Sequence, residues 1–327
     1  MKRLVLLIAI ITGLALFGLM GSGSTDKGPM VEQLLTLPGN DRVARSLEQL
    51  SLELDLPEQD QPVEVTVLRL PRPGAPRLLL VHGTPGTLLN WTPVVFGDTS
   101  FEGLVTHFDV TAIELSGHGM SDDGLEPETF QECADFVGAV ADALDLQPSI
   151  VVGHSYGGEV CWRLALDRPD LVEALVLVDS SGYPRQDDEW LPEEQAMRDL
   201  PGAGWGWLLN SPERIATALE PHFRETPPEP FAMETFLVCD DAVNWRTMVN
   251  LARDENGTRS PELRELAMPT LLVWGVDDVA YPVETFARRF AADIPDAELV
   301  LMERCGHYPP LERPAEFVRV LRDRFAP

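Results

Sequence analysis

The chain has 327 residues, 44% of them hydrophobic, which is enough for one large α/β domain with an insertion or for two ordinary domains, and it carries no repeat or low-complexity tract. With 53 acidic against 25 basic residues the formal net charge is −28, so nucleic acid and anionic membrane surfaces are poor partners, because such a surface repels phosphates. Cys133, Cys161, Cys239 and Cys305 have no C-x-x-C spacing, which argues against a zinc or redox centre; if the domain is exported, one disulfide is open to them.

At the N-terminus Lys2 and Arg3 precede an apolar run from Leu4 to Met20, and Gly21-Ser22-Gly23-Ser24 then restores polarity. Residues 1–23 read as a secretory signal peptide or an N-terminal membrane anchor, and the length of the run suits either. Both readings place the rest of the chain outside the cytoplasm. Residues 24–62 form a transition segment with two short amphipathic patterns, Met30 to Leu37 and Arg42 to Leu54, parted by Pro38-Gly39-Asn40.

From Val63 the pattern changes. Val63 to Leu70 alternates like an antiparallel strand, and buried-strand runs recur at Arg77 to Val81, Val110 to Glu114, Ile150 to Val152, Ala174 to Val178, Thr270 to Trp274 and Glu298 to Met302. Helical stretches such as Glu128 to Leu144 separate several of them. This alternation predicts an α/β fold with a mostly parallel, doubly wound sheet, in which active sites form at the carboxyl ends of the strands. The roughly ninety residues between Asp179 and Pro269 hold helical patterns and Trp190, Trp205, Trp207 and Trp245, but no clear strand. They predict a helical cap at 183–265, inserted between a first core part at 63–182 and a second at 266–327. Its tryptophans read first as cap core, with a largely apolar pocket beneath.

Within this frame Ile150 to Gly158 reads I-V-V-G-H-S-Y-G-G. A strand stops at Gly153, a helix starts near Gly157, and Ser155 stands between them in a G-x-S-x-G turn. That turn lifts a serine hydroxyl above the sheet edge and points free helix N–H groups beside it. A serine needs a base, and the base an orienting acid. Of His82, His107, His118, His154, His222 and His307, the last is best placed, on the loop after the final strand. For the acid, Asp278 follows the strand ending at Trp274; Asp277 and Asp179 are its rivals. Tyr156 N–H and Thr84 N–H, the latter in His82-Gly83-Thr84-Pro85-Gly86, are candidates for an oxyanion hole.

With H-G-T-P-G at 82–86, E-L-S-G-H-G-M-S-D at 114–122, G-H-S-Y-G-G at 153–158, W-G-V-D-D at 274–278 and G-H-Y-P-P-L-E-R-P at 306–314, the sequence resembles the α/β-hydrolase superfamily in its class with a helical cap. The resemblance implies a Ser155, Asp278 and His307 triad with Thr84 and Tyr156 as oxyanion donors. It implies no metal and no organic cofactor. Serine at the elbow speaks against haloalkane dehalogenases and epoxide hydrolases, whose nucleophile is a carboxylate. Leu115-Ser116 departs from the usual acidic or arginine pair of the turn after the fourth strand. The expected activity is hydrolysis of an apolar small-molecule ester through an acyl-enzyme. Carbon–carbon bond hydrolysis, amide or peptide cleavage and cofactor-free perhydrolysis are alternatives on the same frame, and a non-catalytic binding module is the alternative of another class.

Overall fold

The computed structural model describes residues 27–52, 62–121, 129–186, 189–199, 206 and 208–326. Residues 1–23, read as signal or anchor, lie outside the described residues, as do Trp205 and Trp207. Among the described residues no helix is long and apolar enough to cross a membrane.

In chain order the elements are α1 (Gly28–Thr36), β1 (Leu47–Leu52), β2 (Val63–Leu70), β3 (Arg77–Val81), α2 (Thr92–Phe96), β4 (Asp109–Ile113), α3 (Phe130–Ala143), β5 (Ser149–His154), α4 (Tyr156–Asp167) and β6 (Val172–Val178). Then come α5 (Pro192–Asp199), α6 (Pro212–Leu219), α7 (Glu229–Cys239) and α8 (Ala242–Asp254), followed by β7 (Thr270–Gly275), α9 (Ala287–Asp293), β8 (Ala297–Met302), α10 (Pro309–Glu312) and α11 (Pro314–Phe325). The strands form one sheet in the order β1-β2-β4-β3-β5-β6-β7-β8. The pairs β1/β2 and β2/β4 are antiparallel, and the rest are parallel.

Why the inner strands are so apolar follows from the layers. Leu79, Val81, Val151, Leu175, Leu177, Leu272 and Trp274 face a core shared with α3, α4 and α9. Their neighbours Leu78, Leu80, Ile150, Val152, Val176 and Val273 face a second core shared with α1, α2 and α11. A strand covered on both sides has no polar face to show. Each such side chain contributes about 1.5–3 kcal/mol on burial. Thr129 closes the start of α3 by a capping box with Glu132.

The transition segment is more than a lead-in. Its first amphipathic pattern is α1, whose Leu34 is fully buried against the second core. Its second holds β1, an edge strand paired from Leu47↔Leu68 to Leu52↔Val63. Leu50 and Leu52 pack on one core and Leu47 on the other, as strand parity requires. Residues 47–52 therefore belong to the sheet and not to a linker. The cap inserts between β6 and β7 as α5 to α8, with no strand among its described residues. Ile215, Leu219, Phe223, Phe231 and Met248 cluster there with Tyr308 of the core. The four cysteines are buried free thiols.

Glu234 of α7 joins the cap to the N-terminal arm by accepting a 2.6 Å hydrogen bond from Asn40 Nδ2. Burial pushes its carboxyl up to about 7 from an ordinary 4.5, and Glu114 adds to the shift while Asn40 opposes it. The folded chain thus keeps a proton that the unfolded chain releases. This group's stabilisation is complete below about pH 4.5 and is lost as the pH rises through about 7. Glu234→Gln is expected to flatten the fall in urea-unfolding free energy between about pH 5 and pH 8 by up to roughly 3 kcal/mol; an unchanged slope would show that the carboxyl is already ionised.

Candidate active site

Parallel register brings several chain exits to one edge. Val81 lies beside Gly153, Gly153 beside Leu177, Val178 beside Val273, and Gly275 beside Met302. The loops leaving β3, β5, β6, β7 and β8 therefore emerge together, beneath the cap.

Ser155 sits between β5 and α4 at φ 54°, ψ −123°. A non-glycine residue held at positive φ costs about 1–3 kcal/mol and persists only where its surroundings fix it. Here they do: Ser155 N–H donates to Val178 O at 2.9 Å, and Ser155 O accepts from Gly158 N–H at 2.9 Å and Ser181 N–H at 3.2 Å. Two glycines let the neighbouring loop approach. A Cβ on Gly83 would stand 2.7 Å from the Ser155 Cβ, and one on Gly157 would collide with the His82 carbonyl. No side chain fits at either place.

His307 Nε2 lies 3.0 Å from Ser155 Oγ, and His307 Nδ1 lies 3.0 Å from Asp278 Oδ2. A carboxylate only accepts, so the ring proton belongs on Nδ1 and the Nε2 lone pair faces the serine hydroxyl. All three groups are buried. Burial works against charge on Asp278, but His307 and the hydrogen bonds around the carboxyl outweigh it and hold it below the usual carboxylate range. Its Oδ1 accepts from Ala280 N–H at 2.8 Å and Tyr281 N–H at 3.2 Å. Of its rivals, Asp277 is half-exposed and pairs with Arg224 at 3.3 Å. Asp179, at the end of β6, accepts from Gly275 N–H. Among the described residues the group of metal-type donors is Asp179, Asp278 and His307, and two of these are engaged with each other.

Tyr156 opens α4, and Thr84 lies in the loop after β3; both line the same cavity as Ser155. Among the described residues neither backbone N–H has an acceptor. Thr84 is anchored by a residue that sequence reasoning passed over. Its hydroxyl is 2.6 Å from His118 Nε2, while His118 Nδ1 faces Ser116 O at 2.9 Å. Burial pushes the His118 pKa down to about 3, with His82 adding to the shift. The ring is neutral, donates from Nδ1 and accepts from Thr84. The G-H-G of the turn after β4 was the available signal.

The other histidines divide by role. His154 turns from the serine and places Nε2 2.7 Å from the His307 carbonyl. Burial and the nearby His307 bring its pKa down to about 3, so it too is neutral and donates. His222 of the cap accepts the His307 N–H on its own carbonyl at 2.7 Å. His82 packs under the loop after β3, with Nδ1 2.8 Å from Gly83 O. His107 is remote, near Glu102 at 3.8 Å.

Above Ser155 lies a cavity of about 160 Å³. Met197, Ile215, Leu219 and Met248 supply apolar wall, and Trp190 and Trp245, read from sequence as cap core, also line it. At one side stands a buried charge cluster with no counterpart in the sequence reading. Arg185 donates to Glu255 and Glu194, at 2.9 Å each, and lies 3.5 Å over the Trp190 ring. Glu255 also accepts from the Tyr156 hydroxyl at 2.8 Å. The cap is thereby tied to the residue beside the serine.

Comparison with known proteins agrees with this architecture. An uncharacterized hydrolase, YugF, of Bacillus subtilis (strain 168) is 27% identical over 261 residues, spanning 74% of this chain and 87% of that one. A pimeloyl-[acyl-carrier protein] methyl ester esterase of Nitrosospira multiformis is 28% identical over 269 residues, 74% of this chain and 92% of that one. The crystal structure of a bacterial membrane phospholipase A shares the fold at a TM-score of 0.71 and 24% identity, covering 99% of this chain and 97% of that one. The model of the alpha/beta hydrolase family matches residues 78–320, and the chain belongs to that family.

Proposed function

We propose that this hydrolase is a serine esterase working through an acyl-enzyme. The reading rests on one observation, an imidazole standing 3.0 Å from both a buried hydroxyl and a buried carboxylate. Ser155 Oγ attacks the ester carbonyl as its proton passes to His307 Nε2, and Asp278 stabilises the imidazolium through Nδ1–H. The carbonyl oxygen, now negative, takes hydrogen bonds from Tyr156 N–H and Thr84 N–H, whose donors are aimed before the reaction begins. His307 returns the proton to the departing alcohol. Water then repeats the sequence on the acyl-serine and releases the acid. Removal of a buried oxyanion donor or of the base costs orders of magnitude in rate because nothing else at the site replaces it.

The apolar cavity supports an ester with a hydrocarbon acyl or alcohol part. The esterase among the relatives is in keeping with ester chemistry.

A fluorophosphonate probe is expected to label the wild type and not Ser155→Ala; an unlabelled wild type would remove the serine mechanism. Asp278→Asn is expected to lower kcat by about 10³–10⁴-fold, and Asp277→Asn to stay within about threefold, because Asp277 faces Arg224. Comparable losses in both would reassign the acid. Across p-nitrophenyl esters of growing chain length, kcat/KM is expected to rise roughly threefold to fourfold per methylene, the yield of about 0.8 kcal/mol for each buried CH₂, until the cavity fills; a flat series would rule out an apolar pocket.

A further inference from the structure

Two buried carboxyl groups meet behind the His307 ring. Asp179 follows β6, with no exposed surface and φ 42°. Its N–H donates to Val273 O at 3.1 Å, and its Oδ1 accepts from Gly275 N–H at 3.0 Å. Its other oxygen, Oδ2, is buried and receives no hydrogen bond from any described donor. One ligand-type atom from each of Asp179, Asp278 and His307 falls within 4.8 Å of the others. Two carboxylates this close and this buried resist being charged together unless a cation offsets them.

Among the described residues no arginine or lysine acts on Asp179. Facing Asp179 are Asp278 from the loop after β7, His307 and Cys305 from the loop after β8, and Glu312 of α10. Glu312 is itself an acceptor, bonded to the N–H groups of Gly306, Tyr308 and Arg224. His307 spends its one proton on Asp278.

We propose that Asp179 carries a proton and donates it to Asp278 as a positioning residue, so that the pair holds one negative charge and the Asp278 carboxylate is fixed against rotation. The orphaned Oδ2 then has a partner. Asp278 then receives Ala280 N–H, Tyr281 N–H, His307 Nδ1–H and the Asp179 O–H, which fills its roughly four acceptor sites. The shifts run the same way: burial, then Asp278, raises Asp179 well above the carboxylate range, and the Asp179 contact helps to lower Asp278. The inference rests on the serine-esterase reading for its consequence in turnover, and its first test does not.

That test is the infrared difference spectrum of wild type minus Asp179→Asn in deuterated buffer near pH 8.5, above the range of about 7 where the buried Glu159 and Glu234 titrate. A carboxylic-acid C=O band present in the wild type and lost in D179N is expected, and its absence overturns the proposal whatever the enzyme hydrolyses. The second test is kinetic. Asn can accept from Gly275, donate to Asp278 and tolerate a positive φ, so D179N is expected to keep kcat within about threefold and the acid limb of the kcat/KM profile in place. Asp179→Leu, checked for folding by circular dichroism, is expected to lose roughly 10- to 100-fold in kcat at unchanged KM. If Asp179 were ionised, D179N would strip a negative charge from beside His307 and the acid limb would move to lower pH. That shift, or equal losses in the two variants, overturns the proposal; should Asp179→Leu fail to fold, D179N and the infrared band decide.

Discussion

The geometry of the site depends on how His307 is gripped. Its ring is held by a carboxylate on one side and a hydroxyl on the other, and its peptide is held as well. The N–H goes to the His222 carbonyl of the cap, and the C=O receives His154 from the end of β5. A loop residue secured at four points keeps its rotamer without help from substrate. Burial also keeps His154 neutral. On the proposed mechanism a charged ring so close to His307 would disfavour the imidazolium, and burial forbids that charge.

The same economy of charge runs through the interior. Arg185 is almost wholly buried but stands between Glu194 and Glu255 and over Trp190. Arg163 lies against Glu159 at 2.6 Å, and Glu159 accepts also from Ser181 at 3.0 Å. Such pairs add little to net stability against an apolar alternative, but removing one partner strands the other. The Arg185 cluster also reaches the Tyr156 hydroxyl. The side chain next to the candidate nucleophile, the loop after β6 and two cap elements thus share one set of hydrogen bonds.

How much of this was legible in the sequence follows from the range of each interaction. The strands from Val63 onward stood out because a sheet covered on both faces leaves continuous apolar runs between turns. β1 did not, since an edge strand half open to water mixes Glu48, Gln49 and Ser51 with its leucines. Ser155, Asp278 and His307 were readable as candidates because each follows a strand, and strand ends converge by topology. Asp179 follows one too, and only the packing separates its place from that of Asp278. Arg185 and Glu255 left no local trace, as they meet across 70 residues. His118 was in view inside a glycine-rich turn, but its contact with Thr84 depends on how two loops cross.

The edge strand bears on how the domain can be handled. β1 covers the outer backbone of β2 from Val63 to Leu68, in the register Leu47↔Leu68 to Leu52↔Val63. A shortened chain begun at Val63 would bare the outward-pointing amide and carbonyl groups of β2 between Val63 and Leu68, on a strand whose valines belong inside. Open edges of that kind recruit strands from other molecules. Residues 47–52 replace that edge with a shorter and more polar one, in which Glu48, Gln49 and Ser51 stand among the leucines and make pairing with another molecule less favourable.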